Sequence, residues 1–454
     1  MARETTKDLT VGSPFKLIWG FSIPLIVGLL FQQFYNLVDT LIVGRYLGVN
    51  ALAGVGATGS VGFLIIGFLV GVCSGCTIPV AQKFGAKDYS EMRKYVANCF
   101  WVGLVIATLL TVTVCVLCKP ILTWMKTPDD IFQYSYQYIF IIFLGIPAVY
   151  LYNILFAIIR SMGNSKVPLF FLVVCSFMNI GLDLLFIVSF KAGVAGAAIA
   201  TVISQFIAAM LCIVYIKTKL DILHIQKEEW SPSAPHIKTL CSMGLAMGMQ
   251  YSITAIGAVI LQASVNTLGA VSVAAVTAAS KVSNFFACTY DALGTTMSTY
   301  GGQNVGAKKL DRLGKGLKDC IIIGMIYSVI CVIVVYFYGG ALTGLFVDEP
   351  TEELLSKSYQ FLLINAAFFP LLTLVNIVRY MIQGMGYSGL AVLAGVFEMI
   401  ARTLVAFLVV PAFGFTGACF ASPLAWLFAD AFLIPAYIFV RKKLERNINA
   451  MKIC

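Results

Sequence analysis

Charge is scarce in this 454-residue chain: only 11% of residues are Asp, Glu, Lys or Arg, and only two are His. Soluble domains carry about 25% charged residues, so a soluble globular protein is excluded, and so is a disordered polyelectrolyte. His224 and His236 alone cannot furnish a haem or di-metal centre. There is no Walker loop, no His-Glu-x-x-His and no Gly-x-Ser-x-Gly, so the chain reads as no enzyme and needs no cofactor. The polar start up to Ser13 lacks the apolar core and cleavage site of a signal peptide, so the first apolar run is expected to stay as a span. Cysteine is present, 13 in all, but mostly inside apolar runs. Cys73 and Cys76 have Cys-x-x-Cys spacing with no second such pair, so the thiols read as packing groups and not as a zinc site.

What is abundant is apolar: 60% of residues are hydrophobic and the mean hydropathy is +0.91. Apolar runs fall at 15–44, 50–82, 95–118, 131–160, 167–190 and 193–216, then at 237–267, 271–304, 316–340, 354–384, 388–410 and 414–440. Each is long enough for a membrane helix, which needs roughly 20 residues. The expected fold is therefore an all-α polytopic membrane protein with twelve transmembrane helices. They group as an N-lobe at 1–216 and a C-lobe at 239–454 that ends in a basic tail, with a polar linker at 217–238 between them.

Lys and Arg are unevenly shared between the two sets of loops. The set that includes Lys83, Lys87, Arg160, Arg379 and Arg441 outweighs the set with Arg45, Lys119, Lys126, Lys191 and Lys357 by about five to one. Both termini are therefore expected in the cytoplasm. The basic excess is spread over short loops and not gathered into a patch, so no nucleic-acid partner is expected.

The chain also repeats itself. VAQKFGAKD at 80–88 matches GGQNVGAKK at 301–309, an offset of 221. IRSMGNS at 159–165 matches IQGMGYS at 382–388, which sets Pro147 and Asn153 against Pro370 and Asn376. Gly193 and Gly196 match Gly414 and Gly417. Loop sequences shared at one nearly constant offset indicate a duplicated unit. Six spans per unit give both halves the same orientation, hence a pseudo-twofold axis along the membrane normal, the plan of many transporters.

Chemistry must then lie in ionisable residues within spans, which are costly in lipid and functional by default. They are Asp39, Asp183, Lys281, Asp291, Glu398, Arg402 and Asp430. At about 1.5 Å rise per helical residue, Asp39, Asn179, Asp183 and Thr201 fall at one depth, with Asn179 and Asp183 one turn apart. Two carboxylates, an amide oxygen and a hydroxyl suit a proton, or Na⁺ as the one metal ion expected; the alternative is that the acids satisfy partners at a helix irregularity. Lys281, Glu398 and Arg402 read as a charged network of the C-lobe, or else a substrate or second proton site. Pro24 is a candidate hinge or an inert kink. Met249, Gln250, Met297 and Asp291 are candidate cavity residues for lipophilic cations.

The segments NLVDTLIVGRYLG at 36–48, Gln-x-x-Gly-Ala-Lys at 82–87, RSMGNSKVP at 160–168, NIGLDLLFI at 179–187 and GVAGAAIAT at 193–201 resemble the multidrug and toxic compound extrusion (MATE) family, nearest its DinF-like branch of bacterial exporters. The resemblance covers nearly the whole chain. It implies a monomeric inner-membrane protein of a prokaryote that exports organic cations and drugs in exchange for H⁺ or Na⁺ by rocker-switch alternating access. It also implies that Asp39, Asn179, Asp183 and Thr201 match the family's N-lobe cation site. The NorM-like branch carries further acids in spans 7 and 10, where this chain has Gln250 and no acid. A lipid-linked-oligosaccharide flippase of the same superfamily is the alternative; it calls for a basic cavity, whereas the intramembrane set here has five acids and two bases.

Overall fold

The computed structural model describes residues 6–346 and 351–453, and among them every regular element is a helix. Ten helices are long and apolar enough to cross a membrane, and two bent pairs bring the number to twelve. In chain order they are α1 (Pro14–Leu47), α2 (Gly59–Gly85), α3 (Tyr89–Val116), α4 (Asp129–Leu144 and Ile146–Ser161), α5 (Lys166–Ser189) and α6 (Gly193–Lys219). The second set is α7 (Ala234–Asn266), α8 (Ala270–Gly306), α9 (Leu310–Gly344), α10 (Glu352–Ala367 and Phe369–Gly384), α11 (Ser388–Cys419) and α12 (Ala421–Ala450). Both α4 and α10 bend by 51°. The cause is shared, since Pro147 and Pro370 each open the second half, where a missing N–H and a fixed φ suit a helix start but not an interior. The chain breaks at Gly414 (φ 58°, ψ −135°), at the expected junction between span 11 and span 12, because glycine adopts that backbone conformation without a Cβ penalty.

Two compact units result, one of Met1–Asp8 and Val27–Gly248, the other of Leu9–Ile26 and Met249–Cys454. Helix α1 changes unit two residues after Pro24, and α7 changes unit after Gly248. Local sequence explains why the first part of α7 belongs to the first unit. Gly71 and Gly75 on α2 face Gly244 and Gly248 on α7, and a Cβ on Gly71 would stand 2.6 Å from the Met247 carbonyl oxygen. Two Gly-x-x-x-Gly faces let the backbones touch, which matters in lipid, where packing and not water exclusion drives association.

The repeat reappears in the backbone. Eight of the residues with positive φ fall in matched pairs, Gly48 and Gly269, Lys87 and Lys308, Gly163 and Gly386, Gly193 and Gly414, while Gly12, Lys126 and Lys191 have no such partner among the described residues. A single π-helical stretch also occurs in each unit, at Leu185–Ser189 and Val405–Val409. The core of the first unit gathers Leu69, Val72, Ile146, Leu155, Ile158 and Ile159; that of the second gathers Tyr290, Leu293, Tyr300, Leu362, Met381 and Ile382.

The polar segment after α6 folds onto the start of α3. Arg93 donates from Nε and Nη2 to Glu229 at 2.7 and 2.8 Å, Ser90 donates at 3.0 Å, and the Gln226 N–H donates at 2.9 Å. Trp101 donates its indole N–H to the Trp230 carbonyl. These donors hold the Glu229 carboxyl well below the usual range, at about 2.

Candidate functional site

The first unit brings the four residues expected at one depth together. Asp39 on α1 and Asp183 on α5 act on each other electrostatically, and two neighbouring buried carboxylates do not both stay ionised without a proton or a cation to balance them. Asn179, one turn before Asp183, donates toward the Thr201 hydroxyl on α6 at 3.5 Å. Asp183 is fully buried and Asn179 is 2% exposed. Asp39 Oδ1, both Asp183 oxygens and Asn179 Oδ1 meet no donor among the described residues, and no ion pair reaches either acid there. Buried oxygens without donors are rare and need an explanation. Here they form a set of hard oxygens with two potential negative charges, the donor set a proton or a hard monovalent cation suits.

Local structure accounts for the arrangement. Immediately after Leu184 the helix widens into its π turn, the irregularity that often marks functional sites. Ile42 and Val43, in the turn after Asp39, and Ile187, in the turn after Asp183, pack with Ala51, Val194 and Ala197 in one apolar cluster. A cavity at Asn179 and Thr201 is lined also by Gln32, Tyr35, Tyr152, Ser176, Ser204 and Gln205, with Leu172 and Cys175. Tyr35 and Tyr138 lie within electrostatic reach of both acids. Apart from Asn179 and Thr201, these cavity residues escaped the sequence argument, which looked only at charges and their nearest polar neighbours; Gln32 and Tyr35, two turns and one turn before Asp39, share its face at helical spacing. Pro24 is buried in α1, about 22 Å along the helix from Asp39, and its ring leaves the Gly20 carbonyl without its helical donor.

The second unit has a different cluster. Glu398 on α11 pairs with Arg379 on α10 and, at 3.7 Å, with Arg402 one turn on. Arg379 was counted among loop bases; the structure corrects this, placing it 6% exposed inside α10. The signal was its position within the apolar run 354–384. Lys281 is not in this cluster: it is exposed, with its ammonium 5.7 Å from the Phe346 ring. Gln383 donates to Gln250 at 2.5 Å, and the Tyr251 and Tyr380 hydroxyls meet at 3.2 Å. Of the expected cavity residues, Met249 and Asp291 are exposed, Gln250 is buried, and Met297 is fully buried in the apolar core.

Twelve candidate spans in two units, matched backbone landmarks and buried acids on helices define a class, the polytopic helical transporters built on an internal repeat. Residues 24–185 and 243–409 match the MatE family. The chain belongs to that family. It is 27% identical over 352 residues to the probable multidrug resistance protein YoeA of Bacillus subtilis, covering 76% of each chain. It is 23% identical over 389 residues to the multidrug export protein MepA of Staphylococcus aureus, covering 84% of this chain and 85% of that one. The fold matches a multidrug resistance MATE family transporter solved outward-facing, with a TM-score of 0.89, 21% identity and coverage of 98% and 99%. It also matches a MOP superfamily transporter from Pyrococcus furiosus, with a TM-score of 0.88, 22% identity and the same coverage.

Proposed function

We propose that this chain is a secondary active multidrug exporter of a bacterial inner membrane, with both termini in the cytoplasm. It expels lipophilic organic cations in exchange for H⁺ or Na⁺ bound by Asp39, Asn179, Asp183 and Thr201. The observation that carries the reading is the group of buried oxygens in the first unit that meet no donor. Such a site is satisfied when one proton or Na⁺ sits on it and strained when it is empty, so occupancy changes which conformation is favoured. The names of YoeA and MepA support multidrug substrates. Taking Arg379 out of the loop count leaves the basic ratio at about five to one, so the topology argument stands. In this reading Pro24 bends α1 as the ion binds and leaves, and the lobes alternate in access by a rocker switch. Met249 and Asp291 supply apolar surface and a negative charge to a cationic drug.

The test is ethidium efflux from cells expressing Asp39→Asn and Asp183→Asn at wild-type levels. Loss of efflux in both is expected; full activity in both overturns the reading. Proteoliposomes with a pH gradient and a Na⁺ gradient imposed separately then identify the ion.

A further inference from the structure

The second unit holds a buried acid that the coupling reading does not use. Asp430 on α12 is 3% exposed, and neither of its carboxylate oxygens meets a donor among the described residues. A carboxylate deprived of both water and donors is strongly disfavoured in an apolar interior and takes up a proton instead. Helix α12 packs against α11, the second half of α10 and α9. Arg379 from α10 and Glu398 from α11 are the charged groups acting on Asp430, and Arg402 joins them through Glu398. Among the described residues α9 brings no charge to it. Arg379 gives an Nη2 hydrogen to Glu398 but its Nε–H is buried without an acceptor, and Arg402 Nη1 is likewise free. Spare donors and spare acceptors therefore coexist in one buried cluster. Two guanidiniums face one ion-paired carboxylate, Glu398, while Arg379 also acts on Asp291 of α8, so an ionised Asp430 adds a further negative charge within reach of the arginines.

We propose that Asp430 is a second proton-binding site, in which Arg379 is shared between Glu398 and Asp430. With the proton on Asp430, the guanidinium stays on Glu398 and the cluster carries one net positive charge. When the Asp430 O–H bond breaks, the proton passes to a water molecule and the electron pair stays on the carboxylate. The Arg379 Nε–H then turns to that carboxylate and the cluster becomes neutral. This goes beyond the Asp39–Asp183 reading and does not depend on it.

The test uses full-length protein in lipid nanodiscs carrying Asp39→Asn, Asp183→Asn and Asp291→Asn, so that these intramembrane acids contribute no carboxyl signal, and the loop carboxyls common to every variant cancel when spectra are compared. Infrared difference spectra are taken across pH steps. A titrating protonated-carboxyl stretch is expected in this parent and is lost on adding Asp430→Asn. Arg379→Gln moves its midpoint up by at least one pH unit, while Arg379→Lys, which keeps the charge, moves it less. If Asp430→Asn is not monodisperse, Asp430→Glu replaces it and shifts the frequency of the band. A band that survives Asp430→Asn, keeps its frequency in Asp430→Glu, or ignores Arg379→Gln overturns the proposal. Efflux plays no part in this readout, so failure here is separate from failure of the coupling reading.

Discussion

Replacing Glu229 with Gln should release the polar segment 220–233 from the start of α3. The carboxylate takes two hydrogens from Arg93, one from Ser90 and one from the Gln226 backbone, and it is 6% exposed. Its folded-state value of about 2 lies below the ordinary 4.5, so the docked state is favoured by the ionised form. A shift of that size corresponds to about 3 kcal/mol at neutral pH. The sign is that of a depressed carboxyl: the stabilisation is complete above about pH 4.5 and is lost as pH falls toward 2. By pH 3 more than half of it is gone. Hydrogen exchange of peptides covering 220–233 reads this directly. At pH 7 the glutamine variant should exchange up to about 100-fold faster than wild type, since about 1.4 kcal/mol is a factor of ten. The gap between variant and wild type, expressed as protection factors, should shrink at pH 3. Equal protection at pH 7, or a gap of the same size at pH 3, would refute the assignment of docking to this carboxylate.

Other expectations concern packing and buried charge. Arg379→Ala leaves Glu398 with the longer Arg402 contact alone and should cost about 3–5 kcal/mol, seen as a lower Tm in detergent. The apolar double replacement Arg379→Met with Glu398→Leu should recover much of that loss, because no charge is then left unpaired. Gly75→Leu should lower Tm by overpacking worth about 1–3 kcal/mol, since even a Cβ there would come within 2.7 Å of the Gly244 Cα. Gly163→Ala combines a left-handed φ of 79° with a collision against the Lys7 carbonyl, at a cost of about 1–3 kcal/mol. Gly340→Ala, with nothing within 4 Å of the new Cβ, is the control and should leave Tm unchanged or slightly raised.

Most of the helix order was legible because apolar runs and Gly/Pro turns are strong signals; the two bends were not read from the sequence, although Pro147 and Pro370 open the second half of each bent pair. The acid constellation was legible too, because charge in lipid is rare and depth follows from helical rise. Legibility failed where a residue type is common in both roles. Arg379 looked like a loop base because loop bases are numerous nearby, whereas its place depends on a partner, Glu398, nineteen residues on in another helix. Met297 looked like a wall residue because methionine lines cavities, yet it is just as suited to filling a core. Lys281 looked like a network member by depth alone; depth fixes height along a helix but not which face a side chain takes.

The matched landmarks separate what the repeat imposes from what each unit adds. The π turn follows Leu184 in one unit and Leu404 in the other, so the irregularity exists with and without an acid beside it. At the offset of 221 Asp183 falls on Leu404 and Asp39 on Ile260, so the acid pair is not part of the duplicated pattern. The backbone device therefore cannot be a consequence of the carboxylates; it is a wide turn onto which acids were placed in the first unit only. The second unit's ionised groups sit elsewhere, on α10, α11 and α12, and bring guanidiniums with their carboxylates, whereas the first unit's pair has no cation near it among the described residues. In the proposed reading the two acids of the first unit take their positive charge from H⁺ or Na⁺, whereas the acids of the second unit have arginines beside them. Two units that share these backbone landmarks thus differ in the charges they carry: the first unit's acids have no base beside them among the described residues, and the second unit's have two arginines.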